Sequence, residues 1–131
     1  MNQQLSPDQV EFLHKRQFAH VATVNADGSP QVTAVWVDTD GEAVLMNTAL
    51  GRVKARNLQR DPRISISIVD VDNPYRTLTI SGRAELIEEG GVDHINFLSD
   101  KYHGNPTYPL PPGERRVIIR VAPERIRGSV S

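Results

Sequence analysis

In residues 63–69, Arg-Ile-Ser-Ile-Ser-Ile-Val, polar and apolar side chains alternate through Ile68. Successive side chains of a strand point to opposite faces, so Ile64, Ile66 and Ile68 look one way and Ser65 and Ser67 the other. A helix would scatter the three isoleucines around its axis. The segment is therefore a strand with one buried face, and its neighbours must supply the rest of a sheet. Phe18 to Val24 is small and β-branched and ends at Asn25-Ala-Asp-Gly-Ser-Pro30, a cluster of turn formers that predicts a hairpin. The return strand, Gln31 to Asp38, sets Val32, Ala34 and Trp36 on one face and Thr33, Val35 and Val37 on the other, so both faces are expected to be covered. Asp38 to Gly41 predicts a turn into a strand from Glu42 to Asn47. Thr77 to Ser81 alternates again, Gly82 marks a bulge, and Arg83 to Ile87 continues the strand. Arg115 to Val121 is the last strand, with Val117, Ile119 and Val121 on one face, and Pro123 to Val130 is a tail able to add one more.

Helical signals are confined to the connections. Ser6-Pro7-Asp8-Gln9 has the N-cap, the proline at the first helical position and the residue three after the cap that open a helix, which runs to about Arg16. Thr48 to Arg60 has helical composition and is stopped by Asp61-Pro62. After Gly90-Gly91, Val92, Ile95, Phe97 and Leu98 predict a third helix to about Tyr102. Asn105 to Gly113 holds four prolines and is expected to be an irregular loop. Short strands, helices only at connections and no βαβ rhythm predict a mostly β fold, an antiparallel barrel of about six strands forming a single domain over residues 1–131.

Composition narrows the chemistry. The absence of cysteine removes thiol nucleophiles, iron–sulfur centres and disulfide scaffolds. Lys+Arg 15 against Asp+Glu 16 gives a net charge of -1, which selects neither nucleic acid nor an anionic membrane as a partner. No apolar run approaches the ~20 residues of a membrane span, and the polar start lacks the features of a signal peptide, so a cytoplasmic protein is expected. The four histidines, His14, His20, His94 and His103, show no metal-ligand spacing, and no metal site is expected. Gly-x-Ser-x-Gly, Gly-x-Gly-x-x-Gly and P-loop patterns are missing, and no catalytic nucleophile or acid–base pair is assigned.

The one informative constellation is the basic helix start, Gly51-Arg52-Val-Lys54-Ala-Arg56-Asn57. Cations at a helix N-terminus oppose its partial positive charge, and Arg52 and Arg56 form a like-charge i, i+4 pair. An anion at that terminus would offset both. The other reading is a solvated basic face paired with Asp61 or other acids of the fold, and spacing alone does not choose. Trp36 fits the wall of a flat ligand's pocket as well as core or subunit interface. Tyr102, Tyr108 and the proline-rich loop fit a pocket cover or a plain surface loop.

Four blocks together resemble a known family. His20-Val-Ala-Thr-Val-Asn-Ala-Asp-Gly-Ser-Pro-Gln31, Gly51-Arg-Val-Lys-Ala-Arg-Asn-Leu-Gln-Arg-Asp-Pro-Arg63, Leu78-Thr-Ile-Ser-Gly-Arg-Ala-Glu85 and Arg116-Val-Ile-Ile-Arg-Val resemble, in order, the split β-barrel flavin-reductase superfamily. That group includes the pyridoxamine 5′-phosphate oxidases and the deazaflavin-dependent reductases that use coenzyme F420. The resemblance implies a homodimer with cofactor sites at the subunit interface. It implies that Arg52 and Lys54 hold the cofactor's phosphate and acidic tail with help from Asn57. Thr48 and the strand Val32, Thr33, Ala34 and Trp36 would contact the ring. It also implies hydride transfer from the reduced deazaflavin to a planar conjugated small molecule. FMN chemistry on the same fold is the alternative, as is an F420 carrier without turnover; a small nucleic-acid-binding barrel ranks last. Thr33 stands where the oxidases carry an FMN-phosphate arginine and Asp38 where they carry a substrate-phosphate lysine, so pyridoxamine phosphate oxidation is not expected.

Overall fold

The computed structural model describes residues 2–131. Three helices, α1 (Pro7–His14), α2 (Val53–Arg60) and α3 (Gly91–His103), connect seven strands: β1 (Phe18–Val24), β2 (Pro30–Trp36), β3 (Asp38–Thr39), β4 (Val44–Ala49), β5 (Arg63–Val69), β6 (Thr77–Ile87) and β7 (Arg116–Arg127). They form one sheet in the order β2-β1-β5-β6-β7-β4-β3, with every neighbouring pair antiparallel. β2 and β3 are the two ends of that order, yet only Val37 lies between them in the chain. Two Cα steps span at most about 7.6 Å, so the two ends must come together and the sheet curls into a half-open barrel. β2 accordingly lies against β4.

The alternation of β5 sets the core. Ile64, Ile66 and Ile68 are buried with Met46, Ile80 and Ile119, while Ser65 and Ser67 stay exposed. Each such isoleucine contributes about 1.5–3 kcal/mol of transfer free energy. α1 plugs one side of the barrel with Phe12 and Leu13. Its start is the expected capping box: Ser6 Oγ accepts from the Gln9 backbone at 3.1 Å and Gln9 Oε1 accepts from the Ser6 backbone at 2.9 Å. Gln9 Nε2 also donates to the Val130 carbonyl at 3.0 Å, fastening the C-terminal tail to this helix.

β6 bulges between Ser81 and Gly82, as expected. A Cβ on Gly82 would stand 2.8 Å from the Ala122 carbonyl oxygen, which is why a glycine occupies the bend. The last strand differs from expectation. Pro123 does not end it, because the proline sits opposite Gly82 at the irregularity, where no ladder donor is needed, and β7 runs on to Arg127.

Three further expectations are corrected. Asp38 and Thr39 form β3 rather than a turn, and the next strand runs over Val44–Ala49, two residues beyond the expected Glu42 to Asn47. Thr48 and Ala49 pair with Val117 and Arg116, so they are strand and α2 begins only at Val53. Pairing with β7 overrides the helical preference of Ala-Leu. The outer face of β2 is not covered within one chain: Val32 is 61 % exposed. No helix among the described residues is long and apolar enough to cross a membrane.

Candidate active site

Where the edge of β2 approaches β4, the barrel opens into a cleft of about 430 Å³. One wall is aromatic and apolar: Phe18, Val35 and Trp36 from the β1–β2 hairpin, Ile95 and Leu98 from α3, and Tyr108 from the proline-rich loop. Trp36 is held flat by Tyr102, whose ring stacks on it at 5.2 Å and 15°. The Tyr102 hydroxyl is itself pinned, donating to the Gln17 carbonyl and accepting from the Val37 backbone N–H at 3.0 Å. Burial pushes its pKa up to about 12, so this anchor stays a neutral phenol. Tyr108 stands edge-on to Trp36 at 6.0 Å, and its backbone N–H donates to Asn96 Oδ1 on α3.

The opposite wall is cationic. Arg52 occupies the N-cap position of α2 without any side-chain cap, and the first turn of the helix carries no acid. Lys54 follows, only 8 % exposed, with no hydrogen bond or ion pair among the described residues. Burial, then the charges of Arg52 and Arg116, pull its pKa down to about 8. Arg116, at the start of β7, is 5 % exposed; its Nε donates to Asn47 Oδ1 at 2.8 Å and its Nη1 to Glu114 Oε1 at 2.6 Å. Glu114 also faces Arg52 at 3.8 Å. One carboxylate thus serves two of the three cations, Lys54 has none, and an excess of positive charge remains in the cleft. Asp61 does not relieve it, since its carboxylate is taken by Arg63 at 2.6 Å.

Of the eight residues singled out by sequence, Thr33, Ala34, Trp36, Thr48, Arg52 and Lys54 come together on this cleft. Val32 shares the β2 face of Ala34 and Trp36 but is exposed and lies outside the cleft's lining. Asn57 is buried behind the helix, where its Nδ2 donates to Thr23 Oγ1 at 3.1 Å and to Asn25 Oδ1 at 2.9 Å, tying α2 to the end of β1. Asn47 and Arg116 also line the cleft without having been picked out by sequence, and so does Tyr108, for which the sequence left a pocket cover and a plain surface loop open. A signal for Arg116 existed: the alternation of Val117, Ile119 and Val121 places Arg116 on the opposite face. Thr33 adds a second orphan, a buried hydroxyl with no partner among the described residues. Asp38 lies apart from the cleft's lining, buried against His14 at 2.9 Å and Lys101 at 3.5 Å.

Against known proteins, the pyridoxamine 5′-phosphate oxidase family model matches residues 5–129. The chain belongs to this family. It is 34 % identical over 127 residues to the F420H(2)-dependent biliverdin reductase of Mycobacterium tuberculosis, covering 95 % of this chain and 88 % of that one. A solved F420 reductase superposes with a TM-score of 0.79 at 35 % identity, over 89 % of this chain and 94 % of that one. The HupZ protein of Group A Streptococcus shares the fold at 21 % identity and a TM-score of 0.70, over 97 % and 95 % of the two chains.

Proposed function

We propose that this family member is a coenzyme F420-dependent reductase that delivers a hydride to a planar, conjugated small molecule. The carrying observation is the excess positive charge of Arg52, Lys54 and Arg116, a trio with the single carboxylate of Glu114 among them, beside an aromatic wall. A deazaflavin with a phosphodiester and a glutamate tail presents a flat ring joined to several negative charges, and the two walls match those two parts. Both relatives of about one-third identity are named for F420. When bound in its reduced form, the deazaflavin supplies a hydride from C5 and leaves oxidised, with water supplying the acceptor's proton.

The chain's own contribution is positioning. Lys54 and Arg52 neutralise the tail at the start of α2, where the helix dipole favours an anion. Thr33 Oγ1 offers its free hydroxyl to a polar edge of the ring. β2 pairs with β1 alone, so the backbone groups on its other edge are open to the ring as well. Trp36, locked by Tyr102, keeps the ring's neighbourhood flat and dry. No carboxylate or imidazole lines the cleft among the described residues, an arrangement suited to hydride chemistry that needs no general base.

A homodimer belongs to the same reading. The outward face of β2, β1, β5 and β6 brings Val32 and Ala34 beside Ala22 and His20, then Ser65 and Ser67, then Ser81 and Thr79. Its middle carries small, hydroxyl and imidazole side chains, the Arg63–Arg83 pair lies at one end, and a second copy would cover the exposed Val32. To test the activity, the protein is mixed with reduced F420 and a panel of planar enones and lactones. Return of the oxidised deazaflavin's visible absorbance supports a reductase; binding without turnover on every acceptor would leave only a carrier. Sedimentation reads the dimer separately, and a monomer that binds cofactor would remove it.

A further inference from the structure

Asn47 and His94 lie behind the cationic wall, and their hydrogen bonds determine one another. A guanidinium only donates, so the Asn47 atom facing Arg116 Nε at 2.8 Å must be its oxygen. The Asn47 amide nitrogen therefore points the other way, donating to the Gly91 carbonyl at 3.0 Å and to His94 Nδ1 at 3.0 Å. Both amide protons are used and the amide cannot flip. His94 must accept at Nδ1, which leaves its proton on Nε2, a buried atom with no partner among the described residues. Burial, aided by Arg116 and only partly opposed by Asp38, pulls this imidazole down to about 4, so it is neutral at physiological pH. The start of α3 is seated as tightly: a Cβ on Gly91 would stand 2.1 Å from the Arg116 carbonyl oxygen, so only glycine lets the helix meet β7 there.

Arg116 is thereby clamped from both ends, by Asn47 on Nε and by Glu114 on Nη1, with the Tyr108 ring 5.3 Å from its guanidinium carbon. Two of its five N–H donors are used, and the remainder have no partner among the described residues although the residue lines the cleft. Building a desolvated, fixed guanidinium beside an unpaired buried lysine is costly unless an anion closes the set.

We propose that Arg116 is the rigid third arm of the anion site and that His94 is a positioning residue, acting through Asn47 to hold that guanidinium at the angle a bidentate phosphate or carboxylate requires. Lys54 and Arg52 sit on a helix start and supply charge; Arg116 supplies direction. This rests on the F420 reading only for the name of the anion, the cofactor's acidic tail.

The test compares binding of F420 with binding of the same deazaflavin lacking the phosphodiester and glutamate tail, in the wild type, Arg116→Lys, His94→Leu and His94→Asn. Lysine keeps the charge but cannot bond Asn47 and an anion as a fork. Leucine removes the Nδ1 acceptor, whereas asparagine places an acceptor near the same point. Arg116→Lys and His94→Leu are expected to weaken F420 about tenfold, a size usual for lost supporting hydrogen bonds, with the tail-less ligand unaffected. His94→Asn should recover most of the loss. Equal weakening of both ligands, no weakening of either, or failure of asparagine to rescue would overturn the assignment. Should His94→Leu not fold, Arg116→Lys and His94→Asn carry the comparison. Thermal shift with inorganic pyrophosphate separates this claim from the cofactor. A wild type stabilised by pyrophosphate more than Arg116→Lys keeps the anion arm even if F420 does not bind, and indifference of both proteins to pyrophosphate and F420 defeats it.

Discussion

At Asp70 one buried carboxylate is met by Lys15 at 2.7 Å, Arg76 at 2.8 Å, Gln17 Nε2 at 3.2 Å and the Asp72 backbone N–H at 3.1 Å. At the cleft, Glu114 is the one carboxylate among Arg52, Lys54 and Arg116, and Lys54 touches no acid. Both clusters set acids and bases at the margin of the same barrel. The first is closed: burial tends to raise the Asp70 carboxyl, but the hydrogen bonds outweigh it and hold the group well below the usual carboxylate range. Its cations, each about a third or more exposed, keep contact with water. The second is open, and there burial works unopposed against a cation. The closed cluster fastens α1 to the turn after β5, whereas the open one leaves positive charge without a carboxylate, which is what the proposed anion site requires.

The contrast can be broken in four places. Lys54→Ala should weaken F420 about a hundredfold, the loss of a charge-assisted contact from a buried lysine, without lowering the melting temperature; a titration and a thermal melt read the two separately. Asp70→Asn should do the reverse. It is expected to cost about 1–3 kcal/mol in denaturant unfolding and to leave F420 affinity as it was. If Asp70→Asn changed binding as much as Lys54→Ala does, the distinction between the two clusters would be lost.

The third place is pH. Lys54 titrates at about 8 in the folded chain against an ordinary value of 10.5. An anion binds the protonated form, so F420 affinity should fall as pH rises above about 8, by at most about tenfold per unit, and Lys54→Arg should flatten that fall. The stability of the ligand-free protein moves the other way. Between pH 8 and 10.5 the unfolded chain binds the proton more readily than the folded one, so this residue's contribution to stability rises with pH there. A Lys54→Met variant should lack that rise, and identical unfolding curves for the two proteins across the window would contradict the assignment. The smallest effect is expected from Arg76→Ala, below about 1 kcal/mol in the same unfolding assay, because the arginine is half exposed and Lys15 remains on Asp70.

How far the sequence reached follows from the range of each interaction. The α1 capping box, the β5 alternation and the Gly82 bulge are encoded within a few residues and read correctly. The boundary between β4 and α2 read wrongly, because Thr48 and Ala49 are strand only by virtue of Val117 and Arg116, nearly seventy positions away. The same distance concealed Asn47 and Arg116 as partners. They become diagonal neighbours through the Ala49–Arg116 pairing, which no local pattern announces. Lys54 and Arg52 were legible because charges at a helix start are anomalous by themselves. Asn57, beside them in sequence, was drawn in by the motif, yet its side chain turns back to Thr23 and Asn25.

A crystal structure with F420 bound tests the central claim most directly. The account predicts the cofactor's phosphodiester within hydrogen-bond distance of Lys54 Nζ and the deazaflavin ring along β2 beside Thr33 and Trp36. A tail lying in bulk solvent, with Lys54 still unpartnered, would contradict it.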